Sequence, residues 1–307
     1  MRSKIRSFSF TKNFKFLSII AALFVIVGLL GLILLPFGVQ LFNFDIDFVG
    51  GTTMQFDLHT PVTAEITADV ASVVQEVSGK PASSVTKAGD SGTQVVIKSL
   101  ELDSETRDAI FDALAEKYGM QDTDNLKSDY VSASVGSDLR NKAIKASLIA
   151  VALILVYITI RFEFRSGIAA IIALVHDLLV MLSMYIIFRI PFNMNFIAAA
   201  LTIFGYSINA TIVVFDRIRE NRKKEMGKKT SFAEIVDKSI HQTMTRSLNT
   251  TITTLVVMVC LLILGVSSIR NFAAPICVGV IAGCFSSVCL SGPLWNLFTP
   301  KNDVKTR

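Results

Sequence analysis

Apolar runs of membrane-spanning length recur six times along the chain, at roughly 17–35, 143–160, 168–188, 194–215, 247–266 and 272–294. A helix of about 20 residues crosses a hydrocarbon core of about 30 Å, so each run predicts one span. Between the first and second runs the pattern changes. Met54–Leu58 alternates like a strand, and Ile66, Val70, Val73, Val74 and Val77 recur at helical spacing after Thr63. Ser83–Lys87 and Gln94–Lys98 read as short strands about a Gly89-Asp90-Ser91-Gly92 turn. Ser104–Tyr118 reads as a second helix, with Asp103 as N-cap and Gly119 as its stop, and Tyr130–Val135 as a last strand. The order βαββαβ predicts a ferredoxin-like domain. The expected fold class is a polytopic α-helical membrane protein. It has six transmembrane helices and one external α+β domain between helices 1 and 2.

Segment 217–245 is too polar to span. Phe232, Ile235, Val236 and Ile240 keep helical spacing beside Lys228, Lys229 and Lys238. The pattern predicts a helix lying on the inner leaflet or packed under the bundle. The expected organisation is therefore a tail and first span over 1–35, an external domain over 36–141 and spans two to four over 142–215. A basic amphipathic segment over 216–246, spans five and six over 247–294 and a tail over 295–307 complete it.

Composition sharpens this picture. The chain has 307 residues, 51% hydrophobic, with mean hydropathy +0.55 and net charge +5. Residues 36–141 carry 17 acidic and 7 basic side chains, and the other 201 residues carry 8 and 23. The basic excess belongs to the membrane part, which argues for charge sorting across a bilayer and against a nucleic-acid partner. Arg2, Lys4, Arg6, Lys12 and Lys15 precede span one, Arg161 and Arg165 follow span two, 216–246 holds nine basic residues, and Lys301, Lys305 and Arg307 close the chain. The opposite loops carry single charges, Arg189 or Arg270. Both termini are expected in the cytoplasm, with Trp295 at that interface. The first run is expected to be a retained helix and not a cleaved signal. Cys260, Cys277, Cys284 and Cys289 all lie in apolar segments, as small packing residues do.

Polar residues inside the spans are the candidate chemistry. Asp177 lies mid-span, preceded by His176. An ionisable group at that depth marks a functional site by default, the alternative being a protonated acid that only bonds a neighbouring helix. Adjacent helix positions diverge by about 100°, so His176 is not expected to share a partner with Asp177. Asn209 reads as helix–helix glue or part of a polar path. Arg246 reads as an inside anchor or as a cation reaching inward to a carboxylate. Asp216 is expected to pair with Arg219 or Arg246. Gly279 and Gly283, spaced G-x-x-x-G, favour close packing of span six. Gly50-Gly51 is either a hinge or a tight turn. With His59, His176 and His241 scattered and no nucleophile–base, phosphate-loop or metal spacing, neither an enzyme nor a cofactor is expected.

Four motifs carry a family resemblance over essentially the whole chain. They are Asp45-Ile46-Asp47-Phe48-Val49-Gly50-Gly51-Thr52, His176-Asp177, and Gly205-Tyr206-Ser207-Ile208-Asn209 leading to Val214-Phe215-Asp216-Arg217-Ile218-Arg219-Glu220-Asn221. The fourth is Gln242-Thr243-Met244-Thr245-Arg246. The chain resembles the SecF branch of the SecD/SecF family, within the RND superfamily. The resemblance implies an accessory subunit of the bacterial inner (cytoplasmic) membrane that partners SecD in a twelve-helix assembly. It further implies association with the SecYEG channel and YajC, and action on translocating preproteins using the proton gradient. Two positions depart from the family pattern. Asp45 stands where the family usually has Gly, and Ala210 replaces the Asp of the usual S-x-N-D-T. Reliance on SecD's intramembrane Asp is the preferred consequence, ahead of a larger role for Asp177 or an uncoupled subunit. The alternatives are an RND-type exporter of small molecules or lipids, and a passive scaffold for SecD without its own proton path.

Overall fold

Thr63, Asp103 and Ser231 each stand one residue ahead of a helix, and each side chain accepts a backbone N–H that the first turn leaves without a partner. Gly79 and Gly119 stop the first two of these helices in the left-handed conformation. These local signals place boundaries in the computed structural model, which describes residues 8–39, 41–89, 91–226, 230–265 and 267–299. Arg2, Lys4, Arg6, Asp90, Lys228, Lys229, Lys301, Lys305 and Arg307 lie outside the described residues.

The chain divides into two units. One comprises Phe44–Ile144. Its strands are β1 (Gly51–Asp57), β2 (Ser84–Ala88), β3 (Gln94–Ser99) and β4 (Asn125–Val131). The helices α2 (Ala64–Ser78) and α3 (Ser104–Tyr118) connect β1 to β2 and β3 to β4. The sheet runs β2-β3-β1-β4 with every neighbouring pair antiparallel. Each helix thus crosses between strands separated by one other, the split βαβ connection. Alternation along β1 and β3 turns Met54, Phe56, Val95 and Ile97 inward, where they meet Val70, Val73 and Val74 of α2 and Ile110 and Leu114 of α3.

The last strand differs from the expectation over Tyr130–Val135. It starts at Asn125 and ends at Val131, and Ala133 already begins the next helix. The edge position is the reason. β4 pairs only with β1, and Asn125–Ser128 is exposed, so no apolar alternation marks it. A one-turn helix, Ile46–Val49, precedes β1. Asp45 caps it, accepting from Ile46 N at 2.9 Å, and pairs with Lys98 Nζ at 2.8 Å. An acid at that position thus joins the entry turn to β3.

Gly50 and Gly51 follow with φ of +79° and +132°. A Cβ on Gly50 would stand 2.7 Å from the backbone of Ala133, and one on Gly51 2.6 Å from Ser99 O. The pair is a tight turn packed against β3 and against Ala133, where the next long helix begins.

Four carboxylates in this unit are held below the usual range. Asp57 accepts the backbone N–H of His59, Asp69 the side chains of Lys117 and Tyr118, Asp103 the hydroxyl and N–H of Thr106, and Asp124 the N–H of Gln121. Burial, with Asp69 beside it, pushes the Tyr118 hydroxyl up to about 12. A depressed carboxylate stabilises the fold above its unfolded pKa of about 3.9, and that contribution is lost as pH falls through the folded value. Hydrogen-exchange protection of β1 and β3 amides is therefore expected to fall between about pH 5 and about pH 2. Lys117→Met with Tyr118→Phe should flatten the Asp69 share of that slope.

The other unit holds residues 1–43 and 145–307. Six helices along the chain are long and apolar enough to cross a membrane: Phe14–Phe37, Ala133–Arg161, Phe164–Ile187, Met194–Lys224, Phe232–Leu264 and Ile269–Phe298. They correspond to α1 (Phe14–Leu34 and the turn after it), α4 (Ala133–Arg161), α5 (Phe164–Ile187), α6 (Met194–Lys224) and α7 (Phe232–Leu264). The sixth comprises α8 (Ser267–Phe285), a π-helical turn at Ser286–Ser291 and α9 (Gly292–Phe298).

The amphipathic stretch within 217–245 is not a separate surface helix. Its first part extends α6 to Lys224, and Phe232 onward forms the opening turns of α7. Phe232, Ile235, Val236 and Ile240 pack with Phe215, Ile218 and Trp295. Trp295 is correspondingly buried, edge-on to Phe215 at 5.0 Å and to Phe232 at 5.7 Å. Asp237 of α7 accepts from Ser9 Oγ at 2.5 Å and Thr11 N at 2.9 Å, holding the segment before α1.

Candidate functional site: a buried carboxylate and a polar groove

Asp177 sits in the middle of α5 with 0% of its surface exposed. A carboxyl group in that position requires hydrogen-bond partners, because unpaired burial costs several kcal/mol or more. Three side chains provide them. Oδ2 accepts from Ser207 Oγ of α6 at 2.5 Å and from Ser286 Oγ at 2.9 Å, and Oδ1 lies 3.0 Å from His176 Nδ1. The group joins three spans.

Glycine spacing makes the third contact possible. A Cβ at Gly279 would lie 2.5 Å from Ile203, and one at Gly283 3.1 Å from Ser207, so the last span approaches α6 closely through these two residues. Ser286 then opens the π-helical turn. Pro293 accounts for a disturbance there, since it has no N–H for the carbonyl four residues earlier and crowds it. Ser291 and Ser287 hydroxyls return to Ser287 O and Cys284 O at 2.7 and 3.1 Å, satisfying carbonyls that the wider turn releases. A π-turn inside an α-helix often accompanies a functional site.

His176 shares neither serine partner with Asp177, as helical spacing predicts, yet it bonds Asp177 directly. Its ring reaches sideways to its own neighbour, so both residues belong to one cluster. The 100° divergence applies at Cβ and not to the tips of longer side chains. The opposite ring nitrogen, Nε2, is buried and has no hydrogen-bond partner among the described residues. Ser286 escaped the sequence reading altogether. Its signal was three serines and two prolines within an otherwise apolar span.

Asn209, Arg246 and Asp216 do not join Asp177. Two residues beyond Ser207, Asn209 faces the other side of α6 and is exposed. It lines a cavity of about 130 Å³ with Tyr206, Ala210, Arg246 and Ser247. That cavity adjoins a groove of about 490 Å³ shared with Asp216, Glu220 and Gln242. Arg246 is exposed there, with no ion pair among the described residues. Asp216 pairs with neither Arg219 nor Arg246; its partner is Arg161 at 3.5 Å, across from α4. Arg219 instead donates to Arg161 O at 3.3 Å. The threonines near the start of span five are spent on the helix itself, Thr250, Thr251, Thr253 and Thr254 each donating to a carbonyl three or four residues back. The candidates thus separate into a buried carboxylate cluster and a polar groove on α6 and α7, and Gly50-Gly51 lies in the other unit.

Six spans, a hydrogen-bonded carboxylate buried among three of them and a split βαβ domain after the first define a polytopic membrane protein of the transport class. Residues 110–301 match the family described as "Protein export membrane protein SecD/SecF, C-terminal". The chain is 39% identical to the protein translocase subunit SecF of Sebaldella termitidis over 82% of this chain and 81% of that one. It is 34% identical to the SecF subunit of Rickettsia bellii over 87% of each. Against the protein translocase subunit SecDF of Bacillus subtilis it is 36% identical over 94% of this chain and 38% of that longer one. The crystal structure of SecDF from Thermus thermophilus, a translocon-associated membrane protein, superposes with a TM-score of 0.81 at 33% identity, covering 94% of this chain and 38% of that one. The chain belongs to the SecD/SecF family of protein-export membrane proteins, on its SecF side.

Proposed function

We propose that the chain is the SecF-type accessory subunit of a Sec translocon, working with a SecD partner in protein export. The observation that carries this reading is the hydrogen-bonded Asp177 between three spans, in a chain spanning 81% of a SecF relative and 38% of fused SecDF proteins. Residues 36–141 stand outside the cytoplasmic membrane as the external domain. The basic segment 216–246 and both termini lie on the cytoplasmic side, where lysines and arginines concentrate. The SecYEG channel, YajC and translocating preproteins are the further partners. The chain itself catalyses no covalent reaction. Its work is a conformational change driven by the proton gradient, to which one elementary charge moved through ~100 mV contributes about 2.3 kcal/mol.

Within this reading Asp177 is the carboxylate whose proton changes the packing of three spans. Arg246 and Asn209 present a cation and an amide to a carboxylate of the SecD partner, and Asp216 anchors α6 to α4 through Arg161. Ala210 lines the same cavity as Arg246. An acid placed there would have both room and a counter-ion. Cells lacking their own SecF, supplied with this chain and its SecD partner, should regain export of a secreted reporter, and a protonophore should abolish the gain. Ala210→Asp should leave that export unchanged or raise it. No restoration with both subunits stably present would contradict the reading. Loss of export in Ala210→Asp with the pair still assembled would show that the groove has no place for an acid.

A further inference from the structure

A cavity of about 120 Å³ lies where α4 turns into α5, against α6 and α9. Phe162, Glu163, Arg219, Arg222 and Trp295 line it. α4 stops at Arg161 and α5 starts at Phe164, so Phe162 and Glu163 form the turn between two spans. Trp295 belongs to the closing helix of the last span, which ends at Phe298. Arg219 Nη1 donates to Arg161 O at 3.3 Å, which sets its guanidinium beside that turn.

Charge is unbalanced there. Arg222 Nη1 pairs with Glu163 Oε1 at 2.7 Å, and Arg161 pairs with Asp216 at 3.5 Å. Arg219 has no ion pair among the described residues, and its acceptor, Arg161 O, is a neutral carbonyl. A guanidinium carries five N–H donors in a planar fork, so most of those on Arg219 remain open. Arg219 is exposed, so a ligand reaches it without any opening of the bundle.

An anion complements such a group. Two oxygens on one centre accept from a guanidinium in parallel, as a phosphate does. The cavity is smaller than the ~300–1,000 Å³ of small-molecule sites, so it takes one charged group and not a whole drug-sized ligand. The surroundings say what carries that group. Ile160, Phe164 and Leu297 stand beside the lining residues in sequence and are 80%, 61% and 64% exposed. Arginines next to outward apolar side chains at the end of membrane spans lie at headgroup level, and basic pockets between such helices take anionic lipid heads. A choline head would bring its own cation to a lining with two arginines and one carboxylate. A glycerol head brings none.

We propose that this cavity binds the phosphate diester of an anionic phospholipid, with Arg219 as its principal donor and the Glu163–Arg222 pair as its wall. The site shares no lining residue with the cavity at Arg246 or the groove beside it, and it goes beyond the export role.

Trp295 is the only tryptophan of the chain, so its emission reports on this cavity. The test uses the purified full chain in phosphatidylcholine vesicles. Phosphatidylglycerol with bromine high on its acyl chains, a short-range quencher of tryptophan, is added in increasing proportion. Quenching is expected at about fivefold lower mole fraction than with equally brominated phosphatidylcholine, the preference that one basic residue gives an anionic lipid. Arg219→Gln should erase that preference. Lys223→Gln removes the same charge from the same helix, but Lys223 is not part of the lining, and the preference should stay. Inorganic phosphate should not relieve the quenching. Equal quenching by the two lipids would overturn the proposal. So would an equal loss in Lys223→Gln, which would show a diffuse field in place of a site. Relief by inorganic phosphate would assign the cavity to a soluble anion and overturn the lipid assignment. If Arg219→Gln does not fold, the two lipids and the Lys223→Gln chain decide. None of these readouts involves export, so they stand or fall apart from the proposed function.

Discussion

Asp177→Asn is expected to leave the subunit folded and bound to its partner, and to remove its contribution to export. Asparagine has nearly the same shape. The hydroxyls of Ser207 and Ser286 can rotate to accept from its amide in place of donating to Oδ2. What it cannot do is gain or lose a proton. If one proton moving through the membrane potential supplies about 2.3 kcal/mol, its loss changes a two-state bias on the order of fifty-fold. Asp177→Leu should behave differently. It strands Ser207, Ser286 and His176 Nδ1 among three spans, at about 1–2 kcal/mol for each group left unpaired. That chain is expected to be depleted from the membrane. Pulse-chase export, with co-purification of the SecD partner as the assembly control, separates the two variants. Normal export from an assembled Asp177→Asn complex would leave the scaffold role as the better account.

The second large effect is expected far from the spans. Gly50→Ala should cost the Phe44–Ile144 unit about 4 kcal/mol, combining backbone strain with overpacking. Gly50 has φ +79° and ψ 168°, a region essentially reserved for glycine, and a Cβ there meets the Ala133 backbone at 2.7 Å. Against a typical stability of roughly 5–15 kcal/mol, that is a large fraction. Gly79→Ala is the control. Its φ is also positive, +67°, but nothing lies within 4 Å of the added Cβ, so about 1 kcal/mol is expected. Hydrogen exchange of the β1 and β4 amides reads both variants. Equal losses would show that backbone conformation alone is at stake and that the contact with Ala133 yields.

The Phe44–Ile144 unit and the six spans were legible because their signals are local or periodic. Thr63, Asp103 and Gly119 mark helix ends by backbone chemistry, and apolar runs mark spans by length. Ser104–Tyr118 coincides with its helix to the residue. β4 was misplaced because an exposed edge strand has no need of an apolar face. Asp177 was legible as a costly residue in hydrocarbon, but its partners were not. Ser286 lies 109 positions away, and its approach depends on Gly283 and a π-turn, neither of which has a spacing that points to residue 177. Arg161 as the partner of Asp216 was hidden for the same reason, since pairing across helices follows bundle geometry and not sequence distance.

The central claim is that Asp177 changes protonation while the protein stays folded. Infrared difference spectroscopy of the SecD-bound chain in nanodiscs, recorded across a pH step, tests it directly. The account predicts a carbonyl band from a protonated carboxyl that changes with pH in the parent and is missing in Asp177→Asn. Identical spectra from the parent and Asp177→Asn at every pH would show that Asp177 holds one state throughout, and would contradict the account.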